Sequence, residues 1–547
     1  MRIIETDLDS FGADLVSKCL SSRSERVPTY QGFRHYYLMG AQEGNHAIYN
    51  KIYAHIDLLT SFLYSQSTVE FDVAVINQSN LVMEQAELVT NRLNMYFHGH
   101  GVADLYAESL LWALVFNSTL VKLTWDSHGR KLKPYFVEPH NFGVLREDVP
   151  QLDDQEAFVH CYRISESELR RRIMGLPNAA DILRRVRATP QEDQDAFPEP
   201  VNRMLIAGTV NMTNSTTRGV VNVPDLIQRM SYKPRSIEDT VEMYELWVWD
   251  DERDDYRTIT MAEPGIVIYG RKEIGNLHGI KGDQPFVHVC PNPLYDYFYG
   301  WSEMANLLKL QDWISRRLGE IQAIMSKQTD PPKALSGWQG ITDEKIGALR
   351  NAGSWISDPT MNAKIELLAP DVPEDLFKEV MMIQGMFNDV SGLSDVLQGK
   401  GESGVRAQAH ASVLARLGSA RIRKRALTVE SSLEQLGALG VRMMKAKDPH
   451  RFTMKDGAKF VAAQLTEDYI LKVDAHSASP VFVDDHTQLA FSLAKAGAIG
   501  PESLIEMTKP PRSETLIKRF EEMQKAKAAQ EQQNLAMGIT PEGKRAA

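Results

Sequence analysis

Two runs of apolar residues at helical spacing, parted by a glycine-rich break, dominate the pattern of this chain between residues 371 and 447. Leu376, Val380, Ile383, Phe387 and Val390 step 4-3-4-3 and fall on one face of a helix. Ala426, Val429, Leu433, Leu436, Gly440 and Met443 step 3-4-3-4-3 within a second helix predicted from about residue 405 to 447. Residues 391–404 between them hold four glycines and one lysine, Lys400, a loop built to be presented to something.

Upstream, residues 9–64 read as helices, with Ile48, Ile52, Ile56, Leu59 and Leu63 on one face. Residues 69–75 alternate as a strand, and 83–115 are helical around a break at Gly99, His100 and Gly101. A hairpin is predicted from 120–125 and 133–137, and a second from 241–249 and 257–261 about a charged turn. Residues 158–164 form a strand, and Ser165 to Glu168 a capping box that opens a short basic helix. Short strands follow at 265–269 and 286–289, then an aromatic-rich connection at 292–300. Met304, Leu307, Ile314, Leu318, Ile321 and Met325 give a near-heptad seam over 303–327, roughly 37 Å of helix at about 1.5 Å per residue. Asp330, Pro331 and Pro332 end it.

Residues 333–370 read as an insertion: a turn at 336–340, a short helix at 343–349, strands at 354–357 and 364–368. The next helix has Pro373 near its first position and Glu374 and Asp375 at its positive end. Antiparallel pairing of the two flanking helices carries the insertion out as a tip. A strand at 469–475 and helices at 487–495, 501–507 and 513–523 complete the pattern. The predicted class is mixed α+β, mainly helical. Residues 187–239, breaker-rich and polar, read as a surface insertion, and 525–547 as a low-complexity tail.

At 547 residues the chain exceeds one compact core, so several domains or an elongated subunit are expected. Its 43% hydrophobic and 24% charged residues suit an ordinary folded protein. A formal charge of −11 argues against gripping nucleic acid over a broad face, which needs Lys and Arg against phosphate, but not against letting it slide past. Cys19, Cys161 and Cys290 are odd in number and far apart, which suits a reducing compartment and offers no zinc knuckle. A signal peptide is not expected, because the N-terminus has acids at Glu5, Asp7 and Asp9 and no apolar h-region. A membrane span is not expected, because no apolar run reaches about 18 residues.

Gly399 and Lys400 invite a phosphate-loop reading, but the position five before Gly399 is Ser394, and Gly401 follows the lysine where Ser or Thr is required. Arg416, Arg421, Arg423, Lys424 and Arg425 spread around their helix, which favours a solvated or salt-bridging face over a polyanion contact. Asp474, His476, Asp484, Asp485 and His486 match no metal-ligand spacing and read as polar loop residues, while His98 and His100 read as turn chemistry. No nucleophile elbow, HExxH or Ser–His–Asp pattern is present, so no enzyme and no cofactor is indicated.

The order of these features resembles the portal (head-to-tail connector) proteins of tailed bacteriophages. A helix opens after Tyr299, Gly300, Trp301 and Ser302 and ends at Asp330 and Pro331, and an insert carries Asn351 to Ser354. A second helix leads into Val390 and the 391–398 segment, a glycine-rich loop precedes the long helix, and residues 488–490 and 496–502 stand near the end. Val137 to Phe142, followed by residues 165–172, is similar to the family's N-terminal part. The resemblance implies stem helices at 300–327 and 371–390, a clip at 328–370 and a tunnel loop at 391–405. The wing is then 1–299 with 406–483, and the crown 484–547. It implies a homo-oligomer, usually a dodecamer, at the capsid portal vertex of the virion, built in the host cytoplasm, with double-stranded DNA passing through its channel. It also implies docking of terminase, tail and adaptor proteins, and contact with major capsid and scaffold proteins. On these positions Lys400, Glu402 and Arg406 would face DNA, and Lys333, Trp338, Asp343 and Glu344 would belong to the clip's docking surface. A ring of twelve would carry 12 × −11 = −132 formal charges, a wall that repels DNA more than it holds it. A DNA-packaging enzyme component and a non-channel capsid or scaffold protein are the alternatives.

Overall fold

The helices of the N-terminal third form where their apolar periodicity places them. α1 (Leu8–Cys19) starts on Asp7, whose carboxylate accepts the Ser10 N–H at 3.1 Å. α2 (Arg23–Met39) follows, and α3 (Lys51–Leu63) is capped by Asn50 Oδ1 on the Tyr53 N–H at 2.9 Å. α4 (Asn80–Gly99) and α5 (Val102–Phe116) meet at the predicted break, where Gly101 takes φ +72°, a value that favours glycine. The computed structural model describes residues 7–39, 49–64, 69–75, 79–186, 239–269, 276–329, 333–336, 364–367, 373–392, 420–454, 457–466, 469–474, 490–495, 500–501, 504–505 and 523. The reading of 187–239 as an insertion, the helix at 343–349, the strand at 354–357 and the tunnel loop lie outside them, apart from Asp239, Ser391 and Gly392.

β1 (Glu70–Val75) pairs antiparallel with β14 (Tyr469–Asp474), 404 residues away in the chain at the Glu70–Asp474 end, so its partner was not legible from local pattern, while β12 (Arg451–Thr453) and β13 (Lys459–Val461) pair with each other. Side chains of α4 satisfy the outer edge of β1: Asn94 bonds both the N–H and the C=O of Phe71, and Thr90 Oγ1 accepts the Val73 N–H. β2 (Thr119–Asp126) and β3 (Lys131–Val137) form the expected hairpin, and β9 (Phe286–Val289) adds to the other side of β2. Leu123 turns its N–H towards Pro285, so its partner Pro134 presents its missing donor to the open edge of β3.

The larger sheet runs β4 (Phe142–Val144), β5 (Ala157–Ser165), β6 (Thr240–Asp250), β7 (Asp255–Ala262) and β8 (Val267–Tyr269), in sequence order and antiparallel throughout. Both of its faces are covered. Tyr244, Leu246 and Val248 of β6 meet Leu15, Val16 and Cys19 of α1. Alternate residues turn the other way: Trp247 joins Phe158, Phe286, Phe298 and Tyr299 in an aromatic layer against the smaller sheet. Val241 and Met243 pack with α6 (Glu166–Ile173) and α7 (Ala179–Arg185). Each fully buried aromatic side chain contributes about 1.5–3 kcal/mol. Ser165 Oγ caps α6 on the Glu168 N–H as the capping box predicts, while the Glu168 carboxylate pairs with Arg172.

The largest core joins the long helix α10 (Ala420–Lys447, in its described part) to α3, α4, α5 and the β1–β14 pair. Ala426, Val429, Leu433, Leu436 and Met443 are buried as their spacing predicts, and the Tyr106 hydroxyl donates to Val429 O at 3.1 Å. Close approach requires Gly437: a Cβ there would lie 2.6 Å from Phe71 and closer still to Leu471. Gly437→Ala is therefore expected to destabilise by about 1–3 kcal/mol, despite alanine's helix preference of up to about 1 kcal/mol. Urea unfolding checks this, and a midpoint at or above wild type would refute the close contact.

Among the described residues 54% are helical and 22% are in strands, so the class is mixed α+β and mainly helical.

Candidate assembly and conduit surface

The region bracketed by the two predicted stem helices is an arm. It opens with a single 3-10 turn at Glu303–Asn306, capped by Ser302 Oγ on the Met304 N–H, and continues as α8 (Leu308–Thr329). The predicted uninterrupted helix from 303 is thus corrected to a 3-10 turn followed by an α-helix. β10 (Lys333–Ser336) and β11 (Lys364–Leu367) pair antiparallel, Lys333 opposite Leu367. Ser336, assigned to a turn by sequence, belongs to this strand pair, which closes the insertion at its base. α9 (Glu374–Ser391) returns; Pro373 is its N-cap and Gly392 its left-handed C-cap at φ +74°.

Side chains fix α8 and α9 as an antiparallel pair. Trp313 Nε1 donates to Glu379 Oε1 at 3.0 Å and Arg317 Nε to the same oxygen at 2.9 Å. Nearer the body, Phe387 of α9 meets the edge of His55, which lies 3.5 Å from Glu303. Heights along the two helices are thereby matched: 313–317 with 379, and 303 with 387. Lys51 holds the α9 backbone at Gln384 O (3.1 Å) and lies over the Phe387 ring, while Gln311 bonds Lys51 N–H and Tyr49 O.

A buried charge cluster locks the arm's base to the long helix. Arg425 Nη2 lies 2.7 Å from Glu303 Oε2, and its Nε donates to Asn292 Oδ1, whose amide in turn donates to Glu303. Burial pushes the Glu303 carboxyl up, but His55, Arg425 and Asn292 outweigh it and hold it below the usual range. Arg425, one of five residues in the predicted basic cluster, is therefore a structural partner and not a polyanion contact.

The buried stripe of α9 is Val380, Ile383, Phe387 and Ser391; Val390, assigned to it by sequence, is exposed. Further apolar side chains stand in the open: Phe377 (47% exposed), Met381 (65%), Met382 (48%) and Met386 (40%). At about 100° per residue Phe377 and Met381 lie on one flank of the stripe, Met382 and Met386 on the other. A helix apolar on both flanks as well as on its core side is one that expects neighbours. On α8, Lys309, Asp312, Trp313 and Arg316 line an open groove of about 320 Å³. Neither surface was singled out from the sequence, because an apolar residue off the main stripe gives no local signal of exposure.

Of the predicted site residues, Lys333 is placed in β10, while Trp338, Asp343, Glu344, Lys400, Glu402 and Arg406 lie outside the described residues. Among the described residues no group of three His, Cys, Asp or Glu side chains is placed to hold a metal ion, and no helix is long and apolar enough to cross a membrane. The three cysteines are free and buried, and burial pushes each thiol up to about 12. His98 Nε2 lies 3.0 Å from Val69 O and His100 follows α4 as its C-cap, in keeping with turn chemistry.

No protein-family model matches this chain, and no curated protein does. Solved structures to which it is similar include a chain of the virion of the native gene transfer agent (GTA) particle, with 12% identity and a TM-score of 0.39. The neck of the empty GTA particle computed with C6 symmetry and the neck of the native GTA particle computed with C12 symmetry each match with 12% identity and a TM-score of 0.40. All three cover 84% of this chain and 89% of the other.

Proposed function

We propose that this chain is a portal subunit: copies form a ring-shaped channel at one vertex of a capsid, through which double-stranded DNA is packaged and ejected. The observation that carries the reading is the arm itself. Two antiparallel helices lead out to and back from an insertion closed by a strand pair, and α10 packs beside the same body from which α8 departs. Exposed apolar flanks on α9 support assembly with copies of the same chain, where heterologous contacts repeated by rotation close a ring. The insertion, with Lys333, Trp338, Asp343 and Glu344, would dock terminase during filling and tail or adaptor proteins afterwards. Residues 391–405, with Lys400, Glu402 and Arg406, would touch DNA in the channel without holding it. Major capsid and scaffold proteins would meet the ring from outside. The role is mechanical, not enzymatic.

Negative-stain microscopy and native mass spectrometry of the purified full chain are expected to show rings with a central opening, of about twelve copies. A monomer or dimer under all conditions would defeat the proposal and favour a non-channel capsid or scaffold role. Nucleotide hydrolysis or DNA cleavage by the chain alone would favour a packaging enzyme component.

A further inference from the structure

The two flanks of α9 are not equivalent, and the difference assigns a partner to one of them. Glu379, which reaches Trp313 and Arg317, lies within about 60° of Met382 and Met386 around α9, but roughly 160° from Phe377. The α8 groove therefore shares a face of the helix pair with Met382 and Met386, and the Phe377–Met381 flank faces the opposite way. An apolar ridge and a groove on opposite faces of one arm cannot satisfy each other within one copy. Placed side by side by rotation about an axis along the arm, neighbouring copies keep their heights. Residue 379 is level with 313–317, so the ridge at 377–381 of one copy meets the groove at 309–316 of the next.

Charge and backbone agree with this pairing. α9 carries Glu374, Asp375, Glu379 and Asp389 against Lys378, a balance of 1 − 4 = −3. α8 carries Lys309, Arg316, Arg317 and Lys327 against Asp312 and Glu320, a balance of 4 − 2 = +2. Arg317 is engaged by Glu320 and Glu379 within the chain, which leaves the groove's Arg316, level with the 377–381 ridge, to meet the acidic α9 of the next copy. Each helix also holds a mid-helix glycine, Gly319 and Gly385, on the side concerned. Among the described residues nothing lies within 4 Å of a Cβ built at either, so no described intrachain contact explains a residue that weakens its helix relative to alanine. A neighbour's close approach does.

We propose that the Phe377–Met381 ridge of α9 seats in the Lys309–Asp312–Trp313–Arg316 groove of the next copy of this chain, with Gly385 and Gly319 admitting the close helix contact. This rests on the ring reading and specifies its contact, head to tail, so that each copy gives one face and receives on the other. The partner is a second copy, not a foreign protein.

The full-length chain with Met381→Cys and Arg316→Cys, both at exposed positions so that the fold is kept, is treated with a short bismaleimide; the native thiols are buried. The expected result is a ladder of covalent oligomers, with neither single variant giving it. In parallel, Phe377→Glu with Met381→Glu is expected to raise the concentration for half-assembly at least tenfold by native mass spectrometry. Rings that form without the ladder overturn this contact and leave the ring reading standing. A covalent dimer alone signals a two-fold pairing and also overturns it. A chain that never assembles overturns both.

Discussion

Acidification from pH 7 to pH 5 is expected to remove about 4 kcal/mol of unfolding free energy through two buried histidines. His160 on β5 packs against Phe286 and lies beside Lys122; burial first, then that ammonium, push its pKa down to about 3. His288 on β9 stacks on Phe298 at 4.3 Å between ring centroids, and burial pushes it down to about 4. Both folded values lie below the ordinary histidine value of about 6.5, so both rings are neutral at pH 7. Below about pH 6.5 the unfolded chain takes up protons that the fold refuses until about pH 3–4, so stability falls as pH falls through that window. At pH 5 the deficit is about 1.5 pH units per ring, or about 2 kcal/mol each at about 1.4 kcal/mol per unit. Urea unfolding at the two pH values measures it. His160→Gln and His288→Gln should each shrink the difference between pH 7 and pH 5 by about 2 kcal/mol, and an unchanged difference would clear both rings of the effect.

Lys122→Met is expected to destabilise by about 3–5 kcal/mol, because it leaves Glu245 ionised and buried without a counter-charge. Lys122 Nζ lies 2.8 and 2.7 Å from the two carboxylate oxygens, and Trp247 Nε1 donates to Oε1 at 2.9 Å. Burial pushes the Glu245 carboxyl up, and Lys122 is first among the groups that outweigh it. Because His160 is neutral at pH 7, the charge balance rests on Lys122. The pair bridges β2 of the smaller sheet and β6 of the larger, so its loss strikes the layer between them. Lys122→Met with Glu245→Gln removes both charges while a carbonyl still accepts from Trp247, and is expected to recover most of the loss. Should the double variant unfold as early as the single one, the Lys122 ammonium's contact with the Phe286 ring, not the ion pair, sets the cost.

These two sites show why some of the molecule was legible and some was not. The helix faces of α3 and α10 and the β6–β7 hairpin follow from residues within a few positions of each other, and the periodicity that marks them is the burial that stabilises them. Glu245, His160 and Lys122 are polar residues in apolar strands. Sequence gives no reason to join them: His160 and Glu245 become opposite partners only when β5 pairs with β6, and Lys122 reaches them only when the two sheets stack. Arg425 is the same case: within a basic run it has the look of a surface charge, and only Glu303, 122 residues earlier, makes it an interior one. At the arm, the spacing of apolar residues identified α9 but erred on Val390, since periodicity marks an apolar face without saying whether the chain itself or another copy covers it.

Local spacing was enough to read most of the described helices and strands, the mainly helical α+β class and the pairing of two helices around an insertion, because each depends on short-range backbone and side-chain periodicity. The β1–β14 pairing, the buried charge clusters and the two unlike faces of the arm came from the folded molecule alone. Those depend on which surfaces meet after the chain has folded, and contacts between residues hundreds of positions apart leave no mark on local spacing.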